Sequence, residues 1–188
     1  YQADAPLDMR FNPQSGMSAG DFINNSNQQK ISEVIRDYGE ERHYGRIAEK
    51  IYQAAQSGKM KTTFDLKQSV ADSVNPKFLT KSLARVFQAI RIHINDELSS
   101  LQDALKSSID WLVTGGRIAV ISFHSLEDRI VKQFFKDAAL NCICPKEFPV
   151  CICDTTPTLS ILTKKCITAS ELEIKSNSRC RSAKLRVA

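Results

Sequence analysis

Apolar residues recur at helical spacing through the first part of this chain and close into a continuous run further on. Ile31, Val34, Ile35 and Tyr38 lie three and four apart, behind an Asn27 that can cap a helix and ahead of a Gly39 that can end one. Tyr44, Ile47, Ala48, Ile51 and Ala55 form a second stripe, stopped near Ser57-Gly58. Leu66, Val70 and Val74 form a third, with Thr63 as its cap and Asn75-Pro76 as its stop. Ahead of all three, Ser18 with Asp21 three positions on reads as the capping-box start of a short helix. From Ser82 to Leu112 one face carries Val86, Ile90, Ile94, Leu98, Leu101, Leu105 and Ile109, which predicts a long helix bent near Asn95-Asp96.

The pattern then changes. Gly115-Gly116 punctuates the chain, and Arg117 to Phe123 follows as a near-continuous apolar run. Such a run predicts a strand of a parallel sheet, buried on both faces. Ser125 opens the next helix, with Asp128 completing a capping box and Ile130, Val131, Phe134 and Phe135 as its apolar face. Leu159 to Thr163 and Ala183 to Val187 read as two late strands in an antiparallel hairpin, with a short helix from Thr168-x-x-Glu171 between them. Helix, Gly-Gly turn, buried strand, polar loop and helix is the grammar of a doubly wound α/β sheet. The expected organisation is a leading segment 1–15, a helical module 16–78 and a sheet-bearing part 79–188.

Composition narrows the class. With 188 residues, 42% hydrophobic and 25% charged, the chain can bury a core. Its longest apolar run, Ile118 to Ile121, is of strand length, so no membrane partner is expected. The opening residues YQADAPLDMR lack the basic start and apolar stretch of a secretory leader, and a cytoplasmic protein with reduced cysteines is expected. The chain does not begin with Met and is expected to be a fragment or a processed piece. The net charge of +5 permits a phosphate-rich partner. Lys164, Lys165, Lys175, Arg179, Arg181, Lys184 and Arg186 crowd the last stretch, as a solvated tail or a nucleic-acid contact.

Three constellations can carry chemistry. In open α/β sheets ligands bind beyond the carboxyl ends of the strands, where Ser122, Phe123 and His124 fall. Phe123 can stack on a planar base and His124 can hydrogen-bond its edge. The plain alternative makes Phe123 core and His124 a satisfied loop residue. In LDMR, Asp8 and Arg10 can pair with each other or face a polar ligand. Arg42, Arg46 and Lys50 stand at i, i+4 and i+8, one basic stripe on a helix, able to track phosphates or to form a solvated face paired with Glu49 or Glu41. Separately, Cys142-x-Cys144 and Cys151-x-Cys153 place four thiols around a Pro-bounded loop. They can hold a structural zinc, although C-x-C is tighter than the usual zinc spacing. Reduced loop cysteines are the other reading. Neither a G-x-G-x-x-G turn nor a phosphate loop occurs in the sequence.

LDMR, SAGDFIN, YGEER, ARVFQAIRIHINDEL, GGRIAVISFHSLEDRIVK and the ending NSRCRSAKLRVA resemble, in order, the MraW/RsmH family of bacterial 16S ribosomal RNA cytosine-N4 methyltransferases. The resemblance runs from Pro6 to Val187. It implies part of a class I, Rossmann-like methyltransferase sheet with an inserted helical domain. It also implies S-adenosyl-L-methionine as cofactor and N4 of a cytidine in 16S rRNA of the small ribosomal subunit as target. Carried over residue by residue, it implies a catalytic neighbourhood of His124, Phe123, Ser122 and Asp8, with Arg10, Arg42, Arg46 and Lys50 toward the RNA. The family's glycine-rich loop and acidic cofactor motifs precede LDMR, so no cofactor-binding residue is expected here and the chain alone is expected to be inactive. A homodimer is left open. The competing classes are a non-catalytic RNA-binding module, a nucleotide-dependent hydrolase lacking its expected loop, and a small zinc protein built on the four cysteines.

Overall fold

The computed structural model describes residues 3–142, 144–145, 152–153 and 155–188, which fall into two compact units, 1–97 and 98–188. Helices dominate the first unit: α1 (Ala19–Asn25), α2 (Gln28–Gly39), α3 (Tyr44–Gln56), α4 (Thr63–Ala71) and α5 (Pro76–Asn95). The stripes predicted from spacing are its core. Ile31, Ile35, Ile47, Ile51, Leu66, Val70, Val86 and Ile90 are completely buried. Gly39 sits where α2 meets α5 most closely: a Cβ there would stand 2.9 Å from the Arg85 carbonyl oxygen and 3.3 Å from Ala89 Cβ. Only a missing side chain allows that approach.

Asn75-Pro76 ends nothing. Asn75 caps α5 through the Lys77 N–H and Pro76 is its first residue, where a missing N–H is harmless. The helix therefore starts well before Ser82, and all of it packs within the first unit. The first compact unit, with α5 in it, runs on to Glu97. The long helix expected from Ser82 to Leu112 is two helices. Asp96 adopts a left-handed conformation (φ 47°), which breaks the ladder, and α6 (Glu97–Asp110) follows.

The leading segment is built into this unit. Leu7 is buried, its N–H donates to the Lys61 carbonyl, and Pro6 bridges to Thr62. The N–H groups of Ala19 and Gly20 in the first turn of α1 donate to the carbonyls of Asp8 and Leu7. Asn95 holds the same segment from α5: its Nδ2 donates to the Met9 carbonyl and its Oδ1 accepts the Phe11 N–H.

The second unit carries the sheet: β1 (Ala119–Ser122), α7 (Ser125–Ala138), β2 (Ile167–Thr168), α8 (Glu171–Ser176), a 3-10 turn (Ser178–Ser182) and β3 (Lys184–Val187). The order is β1-β3-β2 and both pairings are antiparallel. That corrects the expectation of a parallel strand buried on both faces. β1 alternates instead. Ile118 and Val120 pack toward Leu105, Val131 and Phe135, while Ile121 is 59% and Phe123 54% exposed. A uniformly apolar run cannot reveal which neighbours it has. The late segments also differ from expectation. Leu159 to Thr163 forms no strand, though Leu162 and Thr163 N–H groups donate to the Val187 carbonyl, and the strand that pairs with β3 opposite β1 is Ile167–Thr168. The C-terminal basic stretch ends in β3, the central strand.

Three predicted caps shift by a residue or two. Thr62, not Thr63, caps α4, with Asp65 closing the box. Ser170 with Glu173, not Thr168 with Glu171, starts α8. His124 with Glu127, not Ser125 with Asp128, starts α7. The last shift bears on chemistry.

Candidate functional site

At the end of β1 the chain turns into α7 over three hydrogen bonds. His124 Nδ1 accepts the Glu127 N–H at 3.3 Å. The Glu127 carboxylate returns to accept the Phe123 and His124 N–H groups at 2.8 and 3.2 Å. An accepting Nδ1 places the proton of the neutral imidazole on Nε2, 3.4 Å from Glu127 Oε1. The His124 side chain is 9% exposed, so the ring is a structural cap first.

The three strand-end residues do not share a direction. Ser122 is buried and its hydroxyl donates to the Lys184 carbonyl at 3.4 Å, across the β1–β3 pair. Phe123 points to the opposite face beside Ile121, as strand alternation requires. Only Phe123 presents a broad open surface.

Asp128, freed from capping, takes a role that sequence reasoning missed. It accepts from Arg186 Nε at 2.7 Å and Nη2 at 3.3 Å, and from Lys184 Nζ at 3.2 Å. The Arg186 hydrogen bonds hold its carboxyl below the usual range, and Asp128 raises Arg186 in turn. This ion cluster ties α7 to β3. Arg186 and Lys184, two basic residues of the C-terminal stretch, are thereby paired within the fold.

In the first unit Asp8 and Arg10 pair with each other. Arg10 Nε and Nη2 donate to the two carboxylate oxygens at 2.7 and 2.9 Å, and Nη1 donates to the Gly16 carbonyl. Arg10 lowers the Asp8 pKa through those bonds. Between them Met9 is left-handed, φ 60°.

The basic stripe is shorter than expected. α3 begins at Tyr44, so Arg42 lies in the preceding turn and only Arg46 and Lys50 share the helix. Arg42 instead lines a cleft of ≈ 290 Å³ with His43, Phe78, Lys81, Ser82 and Arg85 around Glu41. The Glu41 side chain is 1% exposed. Burial opposes its charge, but the His43 N–H at 2.9 Å, the Ser82 hydroxyl and Arg85 at 3.4 Å overcome that and lower its pKa. The exposed Arg42 and Lys81 and the half-exposed Phe78 ring complete a basic, aromatic-walled cleft. Charged and stacking groups in this combination suit single-stranded nucleic acid. Arg42 was named from the sequence. Lys81, Arg85 and Phe78 were missed because α5 brings them to Arg42 only in the folded unit.

Residues 1–188 match the protein family described as the MraW methylase family. The chain belongs to that family. It is 47% identical to the ribosomal RNA small subunit methyltransferase H of Syntrophotalea carbinolica, over 99% of this chain and 60% of that protein. The namesake proteins of Caldicellulosiruptor saccharolyticus and Heliobacterium modesticaldum are 48% and 44% identical over all of this chain, and over 62% and 61% of their own lengths. The chain thus spans about three fifths of these relatives. The N–H groups at the end of β1 are already taken by Glu127. A Cβ at Gly116 would meet the Val113 carbonyl at 2.9 Å, so its bareness serves its own turn. No helix is long and apolar enough to cross a membrane among the described residues.

Proposed function

We propose that the complete protein methylates N4 of a cytidine in 16S rRNA, using S-adenosylmethionine held by residues outside this chain. This chain supplies the substrate side. The observation that carries the reading is the family match along the whole chain, with relatives named ribosomal RNA small subunit methyltransferase H. The helical unit acts as an inserted RNA-holding domain. The open edge of β1 continues a class I sheet with strands from the length the relatives have beyond this chain.

A cytosine exocyclic amine is a weak nucleophile because its lone pair is delocalised into the ring, so positioning is the main lever. The exposed ring of Phe123 stacks on the displaced base. His124 shapes the turn that presents Phe123, and its Nε2 side is the nearest proton-handling group to it in sequence. Asp8 and Arg10, locked as a pair, hold the LDMR turn in shape beside α1. Arg42, Arg46, Lys50 and the Lys81 side of the cleft neutralise RNA phosphates. Taken alone, the chain holds RNA without methylating it.

The test uses the complete protein on small subunits purified from cells lacking the activity. Nucleoside mass spectrometry should find N4-methylcytidine in the small-subunit RNA. A methyl group on another base, or on no RNA at all, would reject the reading.

A further inference from the structure

The chain leaves α7 at Ala138 and returns to the same point. The N–H groups of Thr158 and Leu159 both donate to the Ala138 carbonyl, at 2.9 and 3.1 Å. None of the described residues between 139 and 158 is buried, and Ile152 is 75% exposed. The described residues of this segment, closed at its neck, bring no buried side chain that would order it.

Three thiols gather in that loop. The Sγ atoms of Cys142, Cys144 and Cys153 all lie within 4.8 Å of one another. Cys142 and Cys153 are 3.6 Å apart, sulfur to sulfur. A tetrahedral ion with Zn–S bonds near 2.3 Å sets its sulfurs about 3.8 Å apart. The loop's own backbone also prepares the sulfurs for negative charge. The Cys144 N–H donates to Cys142 Sγ at 3.3 Å, and the Ile152 N–H donates to Cys144 Sγ at 3.4 Å. Such N–H···S bonds stabilise thiolates and orient them toward a metal. An iron–sulfur cubane would put each cysteine on a different iron and spread the sulfurs further than one ion does. Cys151, the fourth thiol of the sequence motif, lies outside the described residues, and the three described thiols suffice for the argument.

We infer that Cys142, Cys144 and Cys153 form a mononuclear structural site for zinc that closes the loop after α7. Each thiol loses its proton to solvent as its sulfur–metal bond forms, with no change of oxidation state. The ion ties together positions whose described neighbours in the loop are not buried.

The test is elemental analysis of the untagged chain, purified without chelator from zinc-containing medium. About one zinc per chain is expected, falling at least tenfold in Cys142→Ser/Cys153→Ser and unchanged in Cys166→Ser. To separate loss of ligands from misfolding of the double variant, the unsubstituted chain is also stripped and titrated with cobalt(II). Saturation at one equivalent is expected, with a sulfur-to-cobalt charge-transfer band and intense tetrahedral visible bands. Weak octahedral bands, zinc retained in the double variant, a chain purified without metal, or an iron–sulfur chromophore would each overturn the inference.

Discussion

His124 is the residue at which structure and chemistry compete. As the N-cap of α7 it has a complete structural reason to be present. Replacement by Ala should therefore lower stability by about 1 kcal/mol, whatever else it does. Asn supplies a capping oxygen without an imidazole. In the complete protein, His124→Asn should keep the melting temperature within a few degrees yet reduce methyl transfer roughly 100-fold if the ring handles a proton. Full turnover in that variant would confine His124 to capping. Asp128 poses no such ambiguity. Its carboxylate is 13% exposed and faces an Arg186 that is 11% exposed. Asp128→Asn strips a nearly buried guanidinium of its counter-charge and should cost about 3 kcal/mol, read by urea denaturation. Gly39→Ala should also destabilise, by about 1–3 kcal/mol, because the new methyl meets a backbone carbonyl that cannot rotate away.

At the scale of elements, the helices answer to acid through groups their packing has perturbed. His93 on α5 lies against Phe22, ring centroids 4.5 Å apart, and stacks with Tyr38. Burial, with Lys30 nearby, lowers its pKa, against a smaller opposite pull from Asp96. A depressed histidine pKa means the folded state disfavours the protonated ring. The associated stability is therefore complete above the unfolded value of about 6.5 and declines as pH falls through it toward the folded value. Asp128 and Glu41 are lowered too, so their contributions hold above about pH 4 and are lost at lower pH. Denaturant midpoints should thus fall in two stages on acidification. His93→Phe should abolish the first stage only. The cap positions belong to this scale as well. SFHSLEDR contains two overlapping boxes, His124 with Glu127 and Ser125 with Asp128, and spacing alone cannot choose between them. The choice follows from β3, whose Arg186 and Lys184 draw Asp128 away from the helix start.

For the whole molecule, the prediction is RNA binding without catalysis by this chain. Single-stranded RNA should bind in a strongly salt-dependent manner. Removing Arg42 or Lys81 should each reduce the slope of log affinity against log salt by about 1. Arg85→Ala is a poorer probe, since it strands the buried Glu41 carboxylate. Calorimetry should detect no S-adenosylmethionine binding by this chain. Measurable binding would refute the assignment of the cofactor site to the remainder of the protein.

Local patterns determined much of this protein. The apolar stripes at three- and four-residue spacing are the buried residues of α2, α3 and α5, because a helix repeats its face every 3.6 residues in any fold. The long motifs determined the family. Long-range pairing was decided only in the tertiary structure. The partners of β1 and the grouping of Arg42 with Lys81, Arg85 and Phe78 join residues far apart in the chain. The roles within SFHS were likewise settled only on folding. Strand alternation turns Ser122 inward and Phe123 outward, and the backbone's need for a cap claims His124. Sequence placed these residues together; folding sent each to a different task.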